Sequence, residues 1–321
     1  HRQAAQLMAA APPWARAEAV GLALQAAEEL PEALGAVSGR PSGEIESALE
    51  PLRARGYLVG ELGAPRFVSS LWARSVLAAA PEESRQVGGG MLARLLASGR
   101  PEETVAAARL AIRLADLASL GTSLAPAVAH LVESGRYEDA VALWTSACRA
   151  GLAGEKLYER RTALALLEVS LPYPASCGLL LPAPEEMPKP GDVQECANLL
   201  AGWAAWARRE HRTAEEALAA PCSERLLEFY RRWLRFRGEL VREDTATAQA
   251  ELQGLFAMEM SEARLVFWRR FGESVLLRNC GRPEEARDIS EALMSEQGRL
   301  RGAERAQVLH HRASLEFRRG A

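Results

Sequence analysis

Asn279-Cys280-Gly281-Arg282-Pro283-Glu284-Glu285-Ala286 decides how this chain is read. A glycine ends one helix, an arginine follows, and a proline with two acidic residues opens the next, where negative charge suits the helix dipole. Ser98-Gly99-Arg100-Pro101-Glu102-Glu103 repeats the pattern, and Ser134-Gly135-Arg136-Tyr137-Glu138-Asp139 repeats it again 36 positions later. Each of these two copies is preceded by a leucine-bearing helix (residues 91–97 and 127–133) and followed by another (residues 104–117 and 140–150).

Helix–turn–helix units recurring at roughly 34 residues or slightly more are the tetratricopeptide signature. Weaker copies lie at residues 206–217, containing Glu215-Glu216-Ala217, and at 242–252. Leu315-Glu316-Phe317-Arg318-Arg319-Gly320 reads as the turn of one more repeat, 39 positions after Gly281. An array that stops there lacks a second helix to cover its apolar surface, so a truncated boundary is expected. Six prolines (Pro172, Pro174, Pro182, Pro184, Pro188, Pro190) crowd residues 171–191. That density rules out helix interior and suggests a surface loop or hinge.

Residues 1–80 carry the only strand signals. Residues 16–30 have the spacing of an amphipathic helix, and a short segment at 32–37 follows Pro31. Ser42 is placed to cap a helix over 43–55, with Glu44 and Glu46 in its first turn and Gly56 closing it. Tyr57-Leu58-Val59 and Arg66-Phe67-Val68 then read as two strands joined by a turn through 60–65. Three helices followed by a β-hairpin is the order of a winged helix.

The 321 residues leave room for one large or two ordinary domains. Hydrophobic residues at 48% and charged residues at 25% indicate a core-forming protein rather than a disordered one. Few aromatics and few β-branched residues favour helix. Lysine occurs only at Lys156 and Lys189, an arginine bias that fits a GC-rich genome. A net charge of −3 and a pI near 6.1 give no global field toward nucleic acid or anionic membrane. No apolar run reaches the ~18 residues of a membrane span. No secretory signal is present, and His1-Arg2-Gln3 reads as a cut point rather than a natural start. Cys148, Cys177, Cys196, Cys222 and Cys280 are scattered, so reduced, mostly buried thiols in a cytoplasmic protein are expected.

The winged-helix order followed by Arg66-Phe67-Val68-Ser69-Ser70-Leu71-Trp72-Ala73-Arg74 resembles bacterial signal-transduction ATPases of the STAND class. In that class, which includes the large LuxR-type regulators and ATPase modules fused to serine/threonine kinases or adenylate cyclases, a winged helix leads into a tetratricopeptide-like array. The joining segment there begins Arg-Phe and runs through a His, a Leu and an Arg. Arg66, Phe67, Leu71 and Arg74 match, whereas Ser69 or Ser70 stands where the family has His. Pro81-Glu82-Glu83-Ser84-Arg85 matches the family's proline and charged residues before the first repeat helix. The resemblance implies a nucleotide switch upstream, with this chain as its regulatory and sensing end.

The residues themselves carry little catalytic chemistry. Gly88-Gly89-Gly90 is followed by Met91-Leu92-Ala93, without the Lys and Ser/Thr of a phosphate loop, and reads as a flexible joint. His1, His130, His211, His310 and His311 show no metal-ligand spacing, and His310-His311 beside Arg312 reads as a solvated helix face. No G-x-S-x-G occurs. The would-be recognition helix at 43–55 sets Glu44, Glu46 and Glu50 against Arg53 and Arg55, a poor match to phosphates. Residues 225–242 interleave arginines with Phe229, Tyr230, Trp233 and Phe236, which suits nucleic acid or acidic peptide. The plainer reading is an amphipathic helix, with Leu226, Tyr230, Trp233 and Leu234 inward and Arg231, Arg232 and Arg235 outward with Glu228. Trp203, Trp206 and Trp268 read as inter-helix packing.

The expectation is therefore an all-α chain, an α-solenoid of tetratricopeptide-like helix pairs preceded by a small winged-helix domain with one β-hairpin. Residues 1–80 form the winged helix, 81–170 the first repeats, 171–191 the proline-rich loop, and 192–321 further repeats. The function expected is non-catalytic, without a cofactor: an interaction and sensor segment binding a partner protein or its own ATPase core, with Arg231, Arg232 and Arg235 as the contact surface. Binding of a small-molecule inducer is the alternative, and DNA binding through the winged helix a third reading; no membrane partner is expected.

Overall fold

The computed structural model describes residues 2–28, 40–60, 65–152, 157–173, 175–183, 194–296 and 302–319. Among them are sixteen α-helices and one two-stranded antiparallel sheet, so the described chain is helical apart from a single hairpin. It divides into two compact units, His1–Ala127 and Val128–Ala321.

The first unit holds α1 (Arg2–Ala10), α2 (Pro13–Glu28), α3 (Ser42–Ala54), β1 (Leu58–Val59), β2 (Arg66–Phe67), α4 (Ser70–Ala79), α5 (Pro81–Ser98) and α6 (Pro101–Leu114). Helices α2 and α3 and the hairpin follow in the expected order, whereas α1 occupies residues for which no helix is expected from the sequence. Leu58 pairs with Phe67, both buried, while their neighbours Val59 and Arg66 are exposed. Gly56 ends α3 at φ 75°, with the Tyr57 amide donating back to Leu52. Ser42 is not the cap, because Pro41 takes that position: its carbonyl accepts from Glu44 and Ile45, and its ring presets φ at −56°. The segment at 32–37 and the hairpin residues 61–64 lie outside the described residues.

Residue 80 is no boundary in packing, since α5 lies against α2 and Arg16 pairs with Glu83 at 2.8 Å. The division falls instead inside α7 (Leu117–Glu133). Gly88-Gly89-Gly90 is not a flexible joint either; all three lie within α5. A Cβ on Gly88 would sit 2.9 Å from the Leu114 side chain, so glycine there admits close approach of α6.

The second unit continues with α8 (Tyr137–Arg149), α9 (Arg160–Ser170), α10 (Gln194–Ala207), α11 (His211–Ala217), α12 (Arg225–Val241), α13 (Thr245–Ala257), α14 (Ala263–Asn279), α15 (Pro283–Ser295) and α16 (Gly302–Arg319). Helices pack in sequential pairs, α10 on α11, α12 on α13 and α14 on α15. The described part of the proline-rich stretch is an irregular segment that exposes Leu179 and Leu180, as a surface loop does, yet is packed at several points. A short 3-10 turn, Gly178–Leu180, packs on α8 and α10; Cys177 and Leu181 are buried, and Thr145 donates to the Leu180 carbonyl at 2.6 Å. Pro174, Pro184, Pro188 and Pro190 lie outside the described residues. Residues 315–319 continue α16 rather than turning, and Gly320 is likewise outside.

One turn joins many of these helices. At Gly135 and Gly281 the left-handed glycine donates three residues back and the next amide five residues back, as in Arg136 N to Leu131 O at 2.8 Å and Arg282 N to Leu277 O at 2.9 Å. This is the Schellman arrangement. The same bonds close turns at Ala115, Arg209 and Glu243, where the left-handed residue is not glycine. Those three are exposed. An L side chain in that conformation costs about 1–2 kcal/mol, partly offset by the greater unfolded-state entropy of glycine. Arg209→Gly and Glu243→Gly are each expected to stabilise by about 0.5–1 kcal/mol on that balance. Urea unfolding checks this; loss of stability in either variant would contradict the turn assignment.

Candidate functional site

Helix α12 supplies the arginines that the sequence singles out. It follows Glu224 and carries apolar or aromatic residues on almost every face: Leu227, Phe229, Tyr230, Trp233, Leu234 and Phe236 are all buried. It packs on α9 and α10 as well as on α13. A helix covered on several sides has no continuous outer face, so its arginines find carboxylates instead of solvent.

Arg231 is the clearest departure from expectation. It is 5% exposed, not outward. Its Nε and Nη2 donate to the two Glu228 oxygens at 2.6 Å each, and Nη1 donates to the Leu218 carbonyl at 3.1 Å. Arg232 reaches Glu228 at 2.8 Å and Glu251 at 3.3 Å, and Arg235 reaches Glu251 at 2.8 Å. Glu228 also accepts from the Cys222 amide. Burial works to raise the Glu228 pKa, but the hydrogen bonds from Arg231 and the Cys222 amide hold it below the usual carboxylate range. Bonding to Glu228 in turn raises Arg231. Three guanidinium groups thus share two carboxylates, one of them from α13. Arg232 and Arg235 remain about one-third exposed.

Arg231→Met is expected to cost about 2 kcal/mol, below the usual loss for a broken buried pair because Arg232 still compensates Glu228. An unchanged urea midpoint would return Arg231 to the surface role first assigned to it.

Helix α12 carries one arginine of a different kind. Among the described residues, no carboxylate, carbonyl or hydroxyl accepts a hydrogen bond from Arg237. Its guanidinium carbon lies 5.9 Å from the Trp233 ring centroid. Burial pushes its pKa down to about 10, and Arg278 acts in the same direction. Nearby, His311 is 3% exposed rather than part of a solvated face; His310 is the exposed member of that pair. His311 Nε2 lies 2.9 Å from Ser274 Oγ and Nδ1 lies 3.4 Å from Arg278 Nη1. No spacing rule in the sequence marked these residues as neighbours.

Compared with known proteins, the chain matches no family model, no curated protein and no solved structure. The site must be read from its own chemistry.

Other reactive groups sit in inert surroundings. Burial raises the thiols of Cys148 and Cys222 to about 12 and those of Cys177 and Cys196 to about 11, which removes the thiolate as a nucleophile near neutral pH. Cys280 is exposed. Among the described residues, no three His, Cys, Asp or Glu side chains are grouped to hold a metal ion, and no helix is long and apolar enough to cross a membrane. Trp203 and Trp268 are fully buried, and Trp268 meets Trp233 edge-on at 5.9 Å. In the first unit, a cleft of ≈ 720 Å³ beside α2 and α5 is lined by Trp14, Arg16, Glu83, Gln86 and Arg94 among others.

Proposed function

We propose that the chain is a non-catalytic helical-repeat segment of a bacterial signalling regulator, binding a partner protein or the regulator's own ATPase core. The observation that supports this reading is the recurrence of one turn at Gly135, Arg209, Glu243 and Gly281, the last three each ending the first helix of a packed pair. Repeated pairs offer side chains from successive helices to a partner without any catalytic group. The order of three helices and a hairpin before the pairs supports the further reading as a winged helix leading into a tetratricopeptide-like array, as in STAND-class ATPases. Arg232 and Arg235, still partly exposed, are the contact residues on this reading.

The test is capture from a lysate of the source organism, followed by titration of each enriched protein, purified, into the purified chain. A one-to-one complex weakened by Arg232→Ala and Arg235→Ala supports the proposal. Binding insensitive to both substitutions removes that surface. The cleft beside α2 and α5 favours a second reading, a small-molecule inducer site, since its volume falls in the range of ligand pockets. Stabilisation of the chain by a metabolite, lost in Trp14→Ala, would favour it over protein binding.

A further inference from the structure

Helix α5 supplies one wall of the cleft beside α2. Glu83, Val87, Gly90 and Arg94 recur at helical spacing, so they share one face of α5, and all four line the cleft. Trp14, Arg16 and Ala17 line it from α2. Glu83 is neutralised by Arg16 at 2.8 Å, and Arg16 Nη1 also lies 3.4 Å from the Ala11 carbonyl. Glu82 pairs at 3.3 Å with Arg85, which is not a lining residue. Arg94 lies about 16 Å along the helix axis from Glu83. It is exposed, and among the described residues it has neither ion pair nor hydrogen bond. Of the described charges that line the cleft, Arg94 alone lacks a partner.

An unpaired arginine on a surface is ordinary. The residue one turn before it is not. Glycine is unfavourable inside a helix unless close packing requires it. Gly88 has that reason in Leu114, whereas a Cβ on Gly90 would meet no atom within 4 Å. Gly90 therefore leaves bare space on the cleft wall, just ahead of the free guanidinium. Trp14 adds a half-buried indole, with the Arg40 guanidinium 4.6 Å from its ring centroid.

We infer that this cleft binds an aromatic carboxylate, with its ring in the space that Gly90 leaves open, the Trp14 indole as its stacking surface and its carboxylate on Arg94. A guanidinium grips a carboxylate through paired hydrogen bonds. An indole favours an aromatic partner in offset or edge-on contact. The cleft volume of ≈ 720 Å³ lies in the range of small-ligand pockets. Glu82 and Glu83 on the same wall disfavour a dianion, so a single negative charge fits best. The inference rests on the second reading above, a small-molecule site in this cleft, and is independent of any protein partner.

The test is titration calorimetry and thermal unfolding of the whole chain at pH 7.5 with 2-naphthoate. Its neutral counterpart 2-naphthamide, its saturated counterpart decalin-2-carboxylate and the dianion 2-naphthyl phosphate serve as comparisons. Saturating naphthoate is expected to raise Tm by about 2 °C or more, and to bind more tightly than the other three. Arg94→Ala should weaken naphthoate at least about tenfold and leave the amide unchanged. Gly90→Leu should raise the ligand-free Tm by about 2–4 °C, since leucine favours the helix, and abolish binding by filling the space. Gly89→Leu is the control: position 89 does not line the cleft and its Cβ also meets nothing, so Tm should rise while binding stays. Both leucine variants remain folded if these expectations hold, so lost binding cannot be ascribed to unfolding. Equal binding of the amide, or no effect of Arg94→Ala, overturns the carboxylate assignment while leaving a ligand site. Equal binding of the decalin acid overturns the aromatic one, and tighter binding of the phosphate overturns the single charge. Binding that survives Gly90→Leu places the ligand elsewhere, and binding by none of the probes overturns the inference together with the ligand reading of the cleft.

Discussion

Gly238→Ala is expected to lower the stability of the second unit by about 3 kcal/mol, near the upper end for overpacked sites. Local propensity argues the opposite way: alanine in a helix interior is favoured over glycine by about 1 kcal/mol. Packing decides the sign. A Cβ on Gly238 would fall well inside van der Waals contact of Trp206 Cε2 and Cζ2 and 2.6 Å from Cη2. The far end of a flexible side chain could move aside, but an indole ring is rigid. His211 sits edge-on to it at 5.1 Å. The added methyl must therefore push α12 from α10, disturbing the helix that carries Trp233 and Phe236. Trp206 Nε1 has no acceptor among the described residues, so shortening this side chain costs packing but no hydrogen bond. Trp206→Leu should then restore part of the loss in the double variant, a coupling of about 1.5 kcal/mol or more in urea unfolding. A neutral or stabilising Gly238→Ala would mean that α12 and α10 do not meet as described.

Close approach of this kind explains which features were legible in the sequence. The turns at Gly135 and Gly281 could be read because glycine is the residue that enters the left-handed region without cost. The same turns at Arg209 and Glu243 left only degenerate traces, and that at Ala115 lay unseen inside the expected helix over 104–117, since hydrogen bonds impose the conformation on residues with no preference for it. The hairpin was legible from its two short segments, Tyr57-Leu58-Val59 and Arg66-Phe67-Val68, and the glycine-bearing sequence between them. Helix periodicity misread α12, because the rule assigns charged residues to solvent and has no knowledge of the Leu218 carbonyl that meets Arg231, or of Glu251, nineteen positions past Arg232 on another helix. Gly88-Gly89-Gly90 was misread for a related reason: composition alone cannot distinguish a flexible joint from a helix thinned to admit Leu114. Residues 175–183 were placed outside by their prolines, although proline forbids only the helix and not burial. The grouping of Ser274, Arg278 and His311 left no trace in the sequence at all. It depends on how α14 and α16 pack together, and no local pattern encodes that.

Acidification below neutral pH is expected to remove about 3 kcal/mol of stability through His311 alone. The ring is buried between α14 and α16 and its hydrogen bonds define its tautomer. Ser274 Oγ donates its proton to the Ala286 carbonyl at 2.6 Å, and Ser290 Oγ donates to the same carbonyl at 2.9 Å. Ser274 Oγ can therefore accept from His311 Nε2–H, which leaves the Nδ1 lone pair facing Arg278 Nη1. A second proton would go to Nδ1, directly against that guanidinium. Burial is the largest cause holding the pKa down, to about 4, with Arg278, His310 and Arg237 adding to it and the bond with Ser274 opposing it. In the unfolded chain the group returns to the ordinary histidine value near 6.5. Between those two values the unfolded chain binds one more proton than the folded one, so stability falls as pH falls through this window. The contribution is whole above pH of about 6.5 and gone below about 4. Carboxylates also begin to protonate near the lower limit, so the comparison is between wild type and His311→Gln, which keeps an N–H donor but does not titrate. Urea unfolding at pH 7.5 and 4.5 should show His311→Gln less stable than wild type at the higher pH and recovering most of the deficit at the lower. Parallel losses in the two proteins would mean that the imidazole accepts its proton without penalty, and that Arg278 does not face Nδ1 in solution.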